Sequence, residues 1–248
     1  MLVVNNLMVF FENALALNGL SLEVREGEIV GVIGSNSAGK TTLMNAVSGL
    51  IIDMRIKEIR RGGQRISIYG NIAYKGEDIT GIPPELRVKN GIVLSRERHP
   101  VFPESSVLEN FRIAGYLRTK KEVREVVDYV FSLFPPLVKL KKRKAGFLSG
   151  GEQQMLAIGM ALVVRPKLLL LDEPLLGLSP MMQKAVVDAI VALNKESGIT
   201  VLLSEQFARP VLPVVDRAYV VENGMLTLSG TGADLMNNPE IKSAYFGV

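Results

Sequence analysis

One short stretch restricts the possible folds of this chain more than any other. Gly34-Ser35-Asn36-Ser37-Ala38-Gly39-Lys40-Thr41 fits the pattern G-x-x-x-x-G-K-[ST]. The apolar run Ile29-Val30-Gly31-Val32-Ile33 before it reads as a buried strand, and Thr42 to Leu50 after it reads as a helix. A loop in that setting wraps backbone N–H groups around a polyphosphate and sets the positive end of a helix dipole against it. Lys40 would reach the β and γ phosphates, the Thr41 hydroxyl would hold Mg²⁺, and Gly34 through Gly39 with Thr42 would complete the cradle. The expected ligand is a nucleoside triphosphate.

Two further elements fit that reading. Lys167-Leu168-Leu169-Leu170-Leu171-Asp172-Glu173-Pro174 is a leucine strand ending in two acids. In open α/β sheets, ligands bind at the carboxyl ends of the strands. Asp172 there would hold Mg²⁺ through water, and Glu173 would polarise the water that attacks the γ-phosphorus. Alone, the pair could equally be a capped strand end. Leu148-Ser149-Gly150-Gly151-Glu152-Gln153-Gln154 leads into the apolar run Met155–Val164. Ser149 is a good N-cap, and the glycines would expose N–H groups at a second helix tip. An ordinary capped helix is the plainer alternative.

The totals set limits. With 248 residues and 48% hydrophobic content, the chain can form one large α/β domain or a domain with an inserted lobe. No apolar stretch reaches the roughly 18–20 residues a membrane-spanning helix needs, and the start lacks the signal-peptide pattern. The expectation is a soluble, intracellular chain. Zero cysteines exclude disulfides and thiolate metal sites. A net charge of +4 is too mild to argue nucleic-acid binding, though it suits a protein resting near anionic lipid. The single histidine, His99, rules out any mechanism that needs two; in its proline-bounded loop it reads as structural or merely exposed.

Along the chain, Leu2–Val4, Val9–Phe11 and Leu20–Val24 read as strands. The pattern turns helical from Pro83 to about Gly159, and β character returns at Leu168–Leu171, Thr200–Leu203 and Ala218–Val221. Between the first two of these, Met181–Asn194 has the apolar spacing of a helix face. Asn223-Gly224 marks a hairpin. Alternating strands and helices favour a largely parallel sheet, with an antiparallel N-terminal part. Asp53–Arg65 and Lys139–Lys144 are basic and read as solvated faces, or as contacts with lipid headgroups or a partner near the membrane.

Together the phosphate loop, the LSGGEQQ sequence about 20 residues before the acidic strand, and that strand resemble the ATP-binding cassette family over essentially the whole chain. The resemblance implies a single P-loop NTPase domain over 1–248, with a mixed sheet and an antiparallel N-terminal β part. Residues 1–82 and 160–248 would form the nucleotide-binding α/β core, and 83–159 an inserted helical subdomain carrying the signature. It also implies ATP and Mg²⁺ as cofactors. Ser149, Gly150 and Gly151 of one protomer would act on ATP held by another, and separate integral membrane permease subunits would form the pathway. Gly177-Leu178-Ser179-Pro180, Ser204-Glu205-Gln206, Val221–Gly224 and Gly230–Leu235 look like the branched-chain amino-acid type of importer ATPase. That likeness implies amino-acid import, an extracytoplasmic substrate-binding protein as indirect partner, no nucleic acid, and a peripheral place on the cytoplasmic face of the membrane. A soluble cassette ATPase of the iron–sulphur assembly type and a lipid-export ATPase are the alternatives.

Against the usual cassette pattern, Ser37 replaces a glycine, which would restrict the loop unless φ there is negative. Gln206 replaces the switch histidine and can still donate a hydrogen bond to the γ-phosphate, but cannot titrate near neutral pH. Glu97 replaces the glutamine that senses Mg²⁺ and could ligate the metal. Ser179 replaces an aspartate that links protomers. Phe11 matches the aromatic position that stacks on adenine, with Phe10 on the opposite face; core packing is the competing reading. Val101 and Phe102 are expected to contact the membrane subunit or fill the lobe's own core. About a dozen residues between Leu50 and Gly70 are extra to the resembled pattern, and a short hairpin or helix would accommodate them.

Overall fold

The computed structural model describes residues 1–63, 65–97 and 100–246. His99 and Arg98 lie outside the described residues. Two sheets carry the fold. The N-terminal strands β1 (Leu2–Phe11) and β2 (Ala14–Val24) pair antiparallel, and with β4 (Ile66–Tyr74) and β5 (Glu77–Asp78) form a four-stranded sheet in the order β2-β1-β4-β5. The expected break between Leu2–Val4 and Val9–Phe11 is instead a bulge within one continuous strand. The register slips there, and Asn6 takes a φ of +45° beneath Gly70.

The second sheet joins β3 (Ile29–Ile33), β6 (Ile92–Ser95), β7 (Leu168–Asp172), β8 (Thr200–Glu205), β9 (Arg217–Glu222) and β10 (Met225–Thr231) in the order β10-β9-β3-β8-β7-β6. It is parallel from β9 to β6; β10 returns antiparallel through Asn223 and Gly224, both at positive φ as the hairpin turn requires. Its central strands are covered on both faces, which is why β3 and β7 are continuous apolar runs, whereas the edge strand β10 stays partly exposed. In β7, Leu169 and Leu171 enter one core while Leu168 and Leu170 enter the other. The first core lies under the helices, and the second lies between the two sheets.

The helices are α1 (Lys40–Ser48), α2 (Leu50–Arg60), α3 (Pro84–Lys89), α4 (Val107–Ala114), α5 (Lys120–Leu133), α6 (Pro136–Lys139), α7 (Gly150–Val163), α8 (Pro180–Ser197), α9 (Gly232–Asn237) and α10 (Pro239–Tyr245). The helix expected over 42–50 starts at Lys40 and stops at Gly49, whose φ of +85° ends it and allows α2 to begin. The extra residues after Leu50 thus build a helix. Its Arg55, Lys57, Arg60 and Arg61 face solvent, and Lys57 pairs with Asp53 at 2.8 Å, which is a solvated face. The stretch 83–159, expected to be helical, contains β6. Four residues flanked by turns give no period to read, and only pairing with β7 reveals them as a strand. At its other end α7 continues past Gly159 to Val163.

Ser106, Thr119 and Ser149 each close a capping box with a glutamate three residues on, fixing where α4, α5 and α7 start. Helix α7 then packs on α4 and α5 through Gly159, where an added Cβ would lie 2.7 Å from Val130 Cγ1 and 2.8 Å from Phe111 Cε1. Phe111 itself meets Phe131 edge to face. Gly159→Val should therefore lower stability by about 1–3 kcal/mol through overpacking, measured by thermal or urea unfolding.

Candidate functional site

Strands β3, β7 and β8 run parallel and end together, with Ile33 opposite Glu205 and Asp172 opposite Ser204. Everything they carry at that edge meets around the loop 34–39. The loop is compact because a Cβ at Gly34 would fall onto the Val221 carbonyl. At Gly39, with φ +104°, a Cβ would lie 2.7 Å from Ala16 O. Ser37, expected to be comfortable only at negative φ, sits at φ +64°. The loop keeps its left-handed turn there at a cost of roughly 1–2 kcal/mol.

The loop floors a cleft of about 340 Å³ lined by Ala16, Asn36, Ser37, Gly39, Lys40, Thr41, Thr42, Glu97, Glu173 and Leu176. Lys40 is 3% exposed, and its Nζ donates to Gly34 O at 2.9 Å and Ser35 O at 3.0 Å while pairing with Glu173 Oε1 at 2.9 Å. Thr41 Oγ1 donates to Asp172 Oδ1 at 3.3 Å, and Ser204 Oγ donates to the same oxygen at 2.7 Å. Burial holds the Asp172 carboxyl above the ordinary range; the two hydroxyls oppose that shift, and the charges of Glu173 and Glu97 reinforce it. Glu173 stands at φ +47°, a left-handed conformation held by its own N–H on Ser204 O at 3.1 Å.

The structure thus gathers the phosphate-loop residues, Glu97, Asp172 and Glu173 at one edge. Others stand apart. Phe11 is not among the cleft-lining residues and packs, half-buried, against the inter-sheet core, while Phe10 meets Tyr69 edge to face. Gln206 is half-buried just beyond β8, outside the cleft lining. Ser149 and Gly150 are exposed at the tip of α7 and do not line this cleft; Gly151 is buried against Met182. Val101 packs on the helical core, whereas Phe102 is exposed. Two residues read in the sequence only as part of a family mark have contacts in the site. Ser204 orients Asp172, and Glu205, 4% exposed, takes the Leu175 N–H at 2.8 Å. The available signal is a serine–glutamate pair closing an otherwise apolar strand, Val201-Leu202-Leu203.

A phosphate loop, an acidic strand end beside it and a capped glycine-rich helix tip on one mixed sheet define a cassette-type ATPase. The ABC transporter family model matches residues 17–176. The chain belongs to the ABC transporter family and is its ATP-binding, ATP-hydrolysing subunit. It is 40% identical over the full length of both chains to the high-affinity branched-chain amino acid transport ATP-binding protein BraG of Pseudomonas aeruginosa. It is 34% identical to a probable branched-chain amino acid transport ATP-binding protein, LivF, of Archaeoglobus fulgidus, over 91% of this chain and 90% of that one. A nucleotide-free ATP-binding cassette from an ABC transporter superposes with a TM-score of 0.81 at 27% identity, covering 100% of this chain and 99% of that one.

Because Ser37 holds a conformation that glycine adopts freely, Ser37→Gly should stabilise the nucleotide-free protein by roughly 0.5 kcal/mol, the relief of strain exceeding the added chain entropy. Thermal unfolding checks this, and ATP hydrolysis should persist in the variant.

Proposed function

We propose that this subunit powers import of amino acids, of the branched-chain type, through separate membrane permease subunits, and that two copies close on ATP to do so. The observation that carries the two-copy reading is the separation of its two phosphate-ready helix tips. The chain's own cleft is lined by the α1 loop, while Ser149 and Gly150 at the α7 tip are exposed and do not line it. A second cassette subunit, identical or related, presents its own tip to the first one's nucleotide.

The cleft suits the reaction. ATP enters with its phosphates on the N–H groups of 34–42 and draws the Lys40 ammonium away from Glu173. Glu173, released from that ion pair, accepts the proton of the attacking water, and Gln206 donates a hydrogen bond to the γ-phosphate. Thr41, Asp172 and Glu97 offer hydroxyl and carboxylate oxygens, a donor set that fits Mg²⁺. Among the described residues no three acidic or histidine groups form a metal cage. That also suits an ion usually held by one or two carboxylates together with substrate phosphates. When bound, Mg²⁺ neutralises charge on the β and γ phosphate oxygens. Phe11, on the adjoining sheet, stacks on the base once nucleotide is present. Residues 83–159, apart from β6, make the helical lobe that meets the permease.

No helix among the described residues is long and apolar enough to cross a membrane. As the ATP-driven partner of a separate permease, the subunit works at the cytoplasmic face of the membrane. An extracytoplasmic binding protein delivers the amino acid on the far side. The branched-chain names of relatives matched over 90% or more of their lengths support this cargo over lipid export or iron–sulphur assembly.

Glu173→Gln should cut ATP turnover by about 10²-fold or more while leaving ATP binding intact, since a general base contributes about 10²–10⁴-fold. Steady-state hydrolysis and equilibrium nucleotide binding read the two halves; normal hydrolysis would remove the assignment. In cells the chain should co-sediment with membranes and be released by salt or detergent, and permanent residence in the soluble fraction would favour an assembly ATPase.

A further inference from the structure

Glu205 belongs to none of the roles above, yet its carboxyl lies in the interior beside the cleft. It is the last residue of β8, and its backbone carbonyl accepts the Gly34 N–H at 3.2 Å where the phosphate loop begins. Its side-chain Oε1 accepts the Leu175 N–H at 2.8 Å, and the Gln206 N–H turns toward the same carboxyl. Burial pushes that carboxyl up to about 8, with Glu173's charge acting the same way and the Leu175 and Gln206 N–H groups and Lys40 opposing. An acid kept in such a place has work beyond filling space.

The turn it touches is Glu173-Pro174-Leu175. Glu173 stands at φ +47°, and such a residue stays in place only where its surroundings over-determine it. Its own N–H is taken by Ser204 O at 3.1 Å. Pro174 has no N–H to offer. Leu175 N–H is therefore the next donor that can anchor the turn, and it is buried on Glu205.

We propose that Glu205 is a positioning residue for ATP hydrolysis, holding Glu173 on line for the attacking water through its hydrogen bond to Leu175 N–H. The inference rests on the reading of Glu173 as the base. Without the acceptor, Leu175 N–H would be buried and unpaired and the strained turn would relax. A shift of about 1 Å in a catalytic group is enough to cost on the order of 10²-fold in rate. ATP binding, which depends on the loop 34–42, would be largely spared.

The test uses the full chain and compares Glu205→Leu, Glu205→Gln and Glu173→Gln. It reads kcat and KM for ATP, equilibrium binding of ATP, and amide hydrogen exchange over residues 173–176. Glu205→Leu is expected to lower kcat about ten- to a hundredfold with KM within about threefold, and to speed exchange at Leu175. Glu205→Gln keeps an acceptor oxygen and should restore kcat to within about threefold of wild type. Wild-type kcat in Glu205→Leu, an equal loss in both Glu205 variants, or a change confined to KM would overturn the proposal. If Glu205→Leu does not fold, rapid Leu175 exchange in the folded wild-type protein would overturn it, as would rapid exchange with undiminished kcat in Glu205→Gln. The Glu173→Gln arm separates the two readings. Normal turnover there removes the base and the proposal with it. Lost turnover there, with wild-type kcat in Glu205→Leu, removes only the positioning role.

Discussion

A buried ammonium must have its donors occupied, and Lys40 is the buried ammonium on which this structure turns. Nearly inaccessible, it is the first residue of α1, and it reaches back to the carbonyls of Gly34 and Ser35 and across to Glu173 on the far side of the cleft. Those bonds tie the start of the helix, the loop before it and the end of β7 into one unit. They also engage the carboxylate that the proposed mechanism gives to the attacking water, at 2.9 Å from the ammonium. In that proposal, a polyphosphate that captures the ammonium frees Glu173 as substrate arrives.

The other end of the same helix is held with equal economy. Arg87 on α3 is fully buried, and its guanidinium donates to Ala46 O at 2.7 Å and Val47 O at 2.9 Å, the last carbonyls of α1, as well as to Ile82 O and Thr80 O. Burial brings its pKa down to about 10, which leaves it charged at neutral pH. A cation at a helix C-terminus is favourable with the dipole, and here the guanidinium donates to backbone carbonyls. Gly49 has no Cβ because one would strike Arg87 Nε at 2.9 Å. Helix α1 is thus fixed by a lysine at the end that faces the phosphates and by an arginine at the end that does not. Strand β7, buried on both faces, fixes the acids opposite.

The parts readable from sequence are those whose chemistry is local. A phosphate loop needs eight consecutive residues, and the acidic strand declares itself because a doubly covered parallel strand must be apolar until it reaches the edge. The α7 cap was legible for the same reason, Ser149 and Glu152 being one turn apart. What escaped depends on residues distant in the chain. Strand β6 exists because β7 pairs with it. The Asn5–Asn6 bulge exists because Gly70 lets β4 pass close beneath. Glu205 gains its role from Leu175, thirty positions away. Ser37 fails a local rule outright: its positive φ is imposed by the loop closing around the ligand site, and the residue's own preference yields.

Packing also links the cleft to the glycine-rich tip of α7. Gly151 at the tip of α7 is buried against Met182 on α8, so closely that a Cβ would strike the methionine side chain. Gln183, the next residue on α8, donates to Leu178 O at 3.2 Å and lies within 3.5 Å of Leu175 O, in the segment that follows Glu173. The glycine-rich tip is therefore joined to the acidic turn by a short chain of contacts. Packing at Met182, the first turn of α8 and the bonds of Gln183 join them, and close-packed contacts of this kind shift as units rather than deforming smoothly. In the proposed two-copy arrangement, where tip and cleft serve different nucleotides, that short packed path is the route by which the occupancy of one would be felt at the other.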